Sequence, residues 1–324
     1  MNAIVRAPNW IGDAVMALPF LYGLSMQEGM ERITVFARPV VADLYSMLDG
    51  IDIKIVSVEK NASLPAILSM KHEPVDIAFV LPFSFRSTVP FFVKTRNTAG
   101  LSSLENFFMI KSGINIHEKD FRKRHLASTY LDLLGKAGMR TVSRNPSFRT
   151  DDSFSAKFGL EKDAYFAVVP GASYGPAKMW GTDNYADCIN PLRDGTGLKP
   201  VILGGKAEKE TGKELSGKTG GAIDFTGRTS MSDMLSILKN AKFTIANDSG
   251  MMHVSSAVGT RVYAIFGSTT PVWTGPLRNA VIFYSERACS PCFKRTCMYG
   301  HYGCLFDIAP ESVYNRIMQD LKNG

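Results

Sequence analysis

FTIANDSGMMHVSSAVGTRVYAIFG, residues 243–267, holds one complete βαβ unit. The apolar run at 242–246 reads as a strand, 250–258 has helical spacing, and the apolar run at 261–266 reads as the next strand. Two strands joined by a helix crossover run parallel, and parallel strands are buried on both faces, so neither run needs polar alternation. Between strand and helix stand Asp248, Ser249 and Gly250, with His253 one turn further on. An acid, a hydroxyl, a bare backbone and an imidazole thus collect beyond the carboxyl end of a strand, where open parallel sheets bind ligands.

The alternation continues outward. Upstream lie a strand at 165–170, a glycine-rich loop, a helix at 182–193, a strand at 199–203, GGKAEKE opening a helix, a short strand near 223–225 and a helix at 230–240. The N-terminal half repeats the pattern: strand 3–6, a turn at 8–12, a helix at 13–26 with apolar Val15, Leu18, Leu21, Tyr22 and Leu24, a strand at 33–36, and apolar runs at 53–58 and 76–81. Polar, turn-prone residues at 145–164 interrupt the series. They predict two Rossmann-like α/β domains, 1–155 and 156–324, with parallel sheets facing across a cleft.

Composition agrees with two cores of roughly 100–200 residues each in a chain of 324. The net charge of +7 points to an anionic partner, and residues 1–150, with 18 basic and 13 acidic side chains, carry most of it. Charge alone does not separate nucleotide, nucleic acid and anionic lipid. No run approaches the ~20 apolar residues of a spanning helix, and MNAIVRAPNW lacks a signal-peptide core. A soluble cytoplasmic chain is expected.

In GASYGPAKMW, residues 171–180, Gly171 and Gly175 permit close backbone approach, Ser173 offers a hydroxyl, and Lys178 offers a point charge suited to phosphate. GxxxxGK[ST] is absent from this loop, and GxGxxG occurs nowhere in the chain. A nicotinamide-dependent oxidoreductase is therefore disfavoured, and a nucleic-acid module would show interleaved basic and aromatic residues that are not found. Gly250 and the amides opening the 250–258 helix make an anion site. Asp248 suits sugar hydroxyls or a helix cap better than phosphate, and Ser249 and His253 have plain structural readings as cap and packed residue.

APNWIGDAVMALPFL, VVPGASYGPAKMW, ILGGKAEKE, FTGRTSMSDML, NDSGMMHVSSAVGTRVYAIFGSTTP and LFDIAPESV resemble, in order, the motifs of the bacterial ADP-heptose:lipopolysaccharide heptosyltransferases. FSFRSTVPFF at 83–92 is similar to the heptosyltransferase II branch. The resemblance implies a GT-B fold and an inverting glycosyltransferase. It would move heptose from ADP-L-glycero-D-manno-heptose onto heptosyl-Kdo2-lipid A of the lipopolysaccharide inner core, at the inner face of the inner membrane. Another nucleotide-sugar or acceptor is the alternative.

The same resemblance implies roles for single residues. Ser173 and Lys178 hold the diphosphate, Asp248, Ser249, Gly250 and His253 contact the sugar-nucleotide, Glu208 binds the nucleoside, and Asp13 is the base. Glu210, two residues along the same loop, competes with Glu208, and Asp13 has the alternative of capping its helix. Lys178 and the helix amides would neutralise the leaving phosphate, so no metal and no cofactor is expected. A C-terminal helix at 311–321 is expected to pack back on the first domain.

For the acceptor, Arg86 and Arg96 are the candidates, with the basic run 119–125 as a second group that is more simply a solvated face. Basic residues near an anionic membrane each add about 1 kcal/mol, so they also predict peripheral contact. Cys289, Cys292, Cys297 and Cys304 form C-x2-C-x4-C-x6-C, which leaves a small metal loop, disulfides and free thiols open. Cys188, on a helix, reads as core.

Overall fold

In the computed structural model, which describes residues 1–59, 63–70, 74–118, 120–150 and 153–323, the strands form two six-stranded parallel sheets. The first holds β1 (Asn2–Arg6), β2 (Arg32–Ala37), β3 (Lys54–Ser57), β4 (Ile77–Val80), β5 (Thr98–Ser102) and β6 (Ser112–Asn115), in the order β3-β2-β1-β4-β5-β6. The second holds β7 (Tyr165–Val169), β8 (Lys199–Ile202), β9 (Ile223–Asp224), β10 (Thr244–Asn247), β11 (Val262–Phe266) and β12 (Ala280–Tyr284), in the order β12-β11-β10-β7-β8-β9. Read from its β9 edge, the second sheet repeats the doubly wound order of the first. Each winding therefore reverses beside its own first strand, between β1 and β4 and again between β7 and β10, and ligands bind at such switch points.

The chain divides into two compact units, Met1–Arg149 and Thr150–Gly324. The first closes on itself at its end: the Arg149 N–H donates to the Met47 carbonyl at 2.8 Å, and the Tyr22 hydroxyl donates to the carbonyls of Asp49 (2.6 Å) and Ser147 (3.0 Å). The helix Phe154–Phe158 belongs to the second, with the Phe158 ring 5.2 Å from Phe225 and Lys157 2.5 Å from Asp233. A boundary at 155 follows polar composition; these contacts move it to the end of the last strand-like pairing.

Two elements differ from the sequence reading. The helix expected at 13–26 is two helices, Ile11–Met16 and Leu18–Ser25, with Ala17 between them. Pro19 stands second in the latter, where it has no N–H to give and its ring blocks the preceding turn. The C-terminal helix Pro310–Asn323, expected on the first domain, buries its apolar face in the core of the second unit. Its Val313 and Ile317 are fully buried with Tyr185 and Leu192, and Asp320 accepts from Arg261 at 2.9 Å and the Tyr263 hydroxyl at 3.0 Å. An apolar pair spaced by four residues shows that a helix has a buried face, not which core receives it. No helix among the described residues is long and apolar enough to cross a membrane.

Candidate active site

At the second switch point the loops after β7 and β10 are tied together by one buried side chain. Asn247, the last residue of β10, donates to the Pro170 carbonyl at 2.6 Å and accepts from the Trp180 N–H at 3.2 Å and the Tyr185 hydroxyl at 3.0 Å. The Trp180 indole, fully buried, donates to the Ile308 carbonyl at 2.9 Å. A buried amide with its bonds satisfied fixes the backbone around it. Lys178 and Asp248 leave that frame from opposite sides and meet.

The Lys178 ammonium lies 2.5 Å from Asp248 Oδ2, and the Thr269 hydroxyl donates to the same oxygen at 2.5 Å. The Asp248 side chain is 2% exposed and that of Lys178 11%. The Asp248 charge is thereby countered by a cation and a hydroxyl within the protein itself. Asp248 does not cap the helix Gly250–Val258. Ser249 does, its hydroxyl accepting from the Met252 N–H at 3.4 Å, which leaves the amides of Gly250 and Met251 without an acceptor inside the helix. His253 is buried on the same helix with Nε2 4.0 Å from Asp248 Oδ1.

On the β8 side, the Ser173 hydroxyl donates to Glu208 Oε1 at 3.2 Å. A Cβ at Gly171 would stand 2.3 Å from Glu208 Cγ, so only glycine lets this carboxylate lie against the loop. Glu210 is exposed in the first turn of the next helix, and of the two acids Glu208 is the one that faces Ser173. The Tyr174 ring carries Lys178 Nζ at 4.8 Å from its centroid and the Arg295 guanidinium at 5.3 Å. Two cations on one ring concentrate positive charge over the loop.

In the first unit, Asp13 lies in the opening turn of Ile11–Met16, whose N-cap position is taken by Trp10. Its charge reaches two buried phenols: burial first, then Asp13, pushes Tyr45 and Tyr130 well above the ordinary tyrosine range. Arg86, in the first turn of the helix Phe85–Lys94, lines a cavity of about 630 Å³ with Arg6, Arg38, Asn9 and Ser84. Arg96 is elsewhere, stacked 4.2 Å over the Phe92 ring. Of the basic run, Lys119 lies outside the described residues, Lys123 pairs with Asp120 at 2.7 Å, Arg124 pairs with Asp132, and the His125 ring accepts from the Ala127 N–H at 3.2 Å. Local partners account for these side chains.

Residues 67–303 match the family described as Glycosyltransferase family 9 (heptosyltransferase). The chain belongs to this family. Among curated proteins it is 26% identical to "Lipooligosaccharide heptosyltransferase 2" of Campylobacter jejuni subsp. jejuni serotype O:6, over 98% of each chain. Among solved structures it superposes with a TM-score of 0.81 on Escherichia coli ADP-heptose lps heptosyltransferase II, at 22% identity and 98% coverage of both chains. Escherichia coli heptosyltransferase WaaC with ADP follows at a TM-score of 0.75 and 14% identity, covering 98% of this chain and 99% of that one. The two-sheet architecture is GT-B, and the chain is a glycosyltransferase.

In this family member the structure brings together Lys178 with Asp248, Ser173 with Glu208, and Ser249 with the helix that Gly250 opens. Sequence reading missed Thr269, Tyr174, Arg295 and Asn247, which surround those groups. Thr269 and Asn247 stood beside the quoted stretch or in it; nothing in the sequence aimed Arg295 at residue 174. The cysteine segment carries Arg295 there. The Tyr174 hydroxyl donates to the Phe293 carbonyl at 2.6 Å, and the Ala177 N–H donates to the Arg295 carbonyl at 3.0 Å. All five cysteines are free thiols, and no group of three or more His, Cys, Asp or Glu among the described residues is arranged to hold a metal. Cys188 is buried in the core, its thiol pushed up to about 12 by burial.

Proposed function

We propose that this glycosyltransferase moves heptose from ADP-L-glycero-D-manno-heptose to the first heptose of the lipopolysaccharide inner core, with inversion at the anomeric carbon. The buried Lys178–Asp248 pair beside the free amides of Gly250 and Met251 carries the reading. A diphosphate seated there meets a cation and helix-terminal N–H groups that stabilise charge growing on the leaving group. Glu208, facing Ser173, is placed to accept from ribose hydroxyls. The solved relative with ADP supports the choice of adenine nucleotide.

In the reaction Asp13 takes the proton of the acceptor hydroxyl, that oxygen bonds to the anomeric carbon, and the bond from this carbon to the β-phosphate oxygen breaks, releasing ADP. Asp248 positions Lys178 and does not touch phosphate. The acceptor is anchored in a membrane, and the first unit has a surface for one. Phe85 (46% exposed), Phe107 (62%), Phe108 (61%) and Leu104 (80%) cluster there, with Phe108 centred 6.4 Å from Phe85 and 5.8 Å from Phe107. Exposed aromatic rings next to Arg86 fit peripheral contact with the anionic inner face of the inner membrane.

Transfer assays with ADP-heptose and UDP-sugars, on core acceptors with and without the first heptose, test the reading. Transfer from ADP-heptose only to the acceptor that carries the first heptose is expected. Transfer from a UDP-sugar, or to the acceptor lacking heptose, overturns it.

A further inference from the structure

Arg6 ends β1 and is 6% exposed, yet among the described residues no carboxylate lies within 4.0 Å of its guanidinium. Among the described residues it donates only to neutral acceptors, the carbonyls of Ala7 (2.8 Å) and Phe36 (3.1 Å) and the side-chain oxygen of Asn9 (2.7 Å), and its buried Nε has no acceptor. Arg38, just past β2, also has a buried Nε without an acceptor. Burial and the neighbouring Arg38 charge lower Arg6 to about 10, which leaves it charged at neutral pH. Glu105 accepts from the Phe85 N–H at 3.4 Å and is not part of the cavity wall.

A buried charge without a counter-charge is destabilising, and the like charge of half-buried Arg38 beside it adds to the cost. Arg6, Arg38 and Arg86 nonetheless face one cavity of about 630 Å³, with the hydroxyl-bearing Ser84 and Ser87 on its wall. Guanidinium forks match the oxygens of phosphate and carboxylate, and three of them offer more donors than one carboxylate can accept. We propose that this cavity is a phosphate-binding site, filled by a phosphate group that the acceptor carries. The source of the phosphate rests on the lipopolysaccharide reading; the site does not.

The test uses the full chain saturated with ADP, so that the diphosphate site is already filled. Inorganic phosphate is titrated against chloride at matched ionic strength while Tm is followed. Wild type should gain more from phosphate than from chloride, and Arg38→Gln and Arg86→Gln, neither within a strand, should each lose at least half of that excess. An equal response to chloride, or an undiminished excess in both variants, overturns the site. A second arm compares KM for the intact glycolipid acceptor with KM after its phosphates are removed. KM should rise about tenfold in wild type and change little in Arg38→Gln; a tenfold rise in both would overturn the acceptor as the source. Absence of transfer to every acceptor would sink the functional reading while leaving the titration to judge the cavity.

Discussion

Lys178 and Asp248 form a pair whose structural and binding roles separate by experiment. Removing one member of a buried pair leaves an unpaired buried charge, which costs about 3–5 kcal/mol. Lys178→Met should therefore lower Tm, and adding Asp248→Asn should restore much of the loss. ADP affinity should fall in Lys178→Met and stay low in the double variant, because the cation proposed to meet phosphate is absent from both. Recovery of ADP binding in the double variant would make Lys178 a structural residue alone. Asp13→Asn should leave ADP affinity unchanged and lower turnover about 10²-fold or more, the ordinary worth of a general base. Turnover within a fewfold of wild type would return Asp13 to the role of a first-turn acid that complements its helix dipole.

The loops between strands and helices make these residues meet. The loop after β7 is held by Asn247 and by the segment that contains the cysteines, and a Cβ at Gly175 would stand 2.6 Å from the Arg295 carbonyl. Gly171 matters for a different reason, since any side chain there displaces Glu208. Gly171→Ala should leave Tm nearly unchanged, as its obstacle is a flexible side chain, and should weaken ADP binding roughly tenfold if one charge-assisted hydrogen bond is lost. Glu208→Gln should weaken it in the same direction. Normal ADP affinity in Gly171→Ala would remove Glu208 from the nucleoside site.

Each unit completes its own six-stranded sheet and its own core, and the groups assigned to the donor all lie in Thr150–Gly324. The isolated fragment 150–324 should then bind ADP with close to full-chain affinity, measured by calorimetry, and transfer no heptose. ADP binding by residues 1–149 alone, or transfer by the second fragment, would reverse the assignment of donor and base to the two units. The helix Pro310–Asn323 should not be trimmed from the fragment, since Val313 and Ile317 complete its core.

Apolar runs separated by helical spacing settled the α/β class, and glycine, serine, lysine and acid at the strand ends marked the loops proposed to bind, because both signals are local in the chain. Ser173, Lys178, Asp248 and Ser249 could be singled out as candidates for that reason. Their pairing was not: Lys178 with Asp248 and Ser173 with Glu208 depend on β7 lying between β8 and β10, an order that only the sheet decides. The same holds for Arg6, which reads as an ordinary strand residue until β2 and the helix Phe85–Lys94 bring Arg38 and Arg86 beside it. It holds too for the last helix, whose apolar stripe was visible and whose destination was not. Long-range placement is set by which surfaces can close over one another, and that information is spread across the whole chain rather than held in any one stretch.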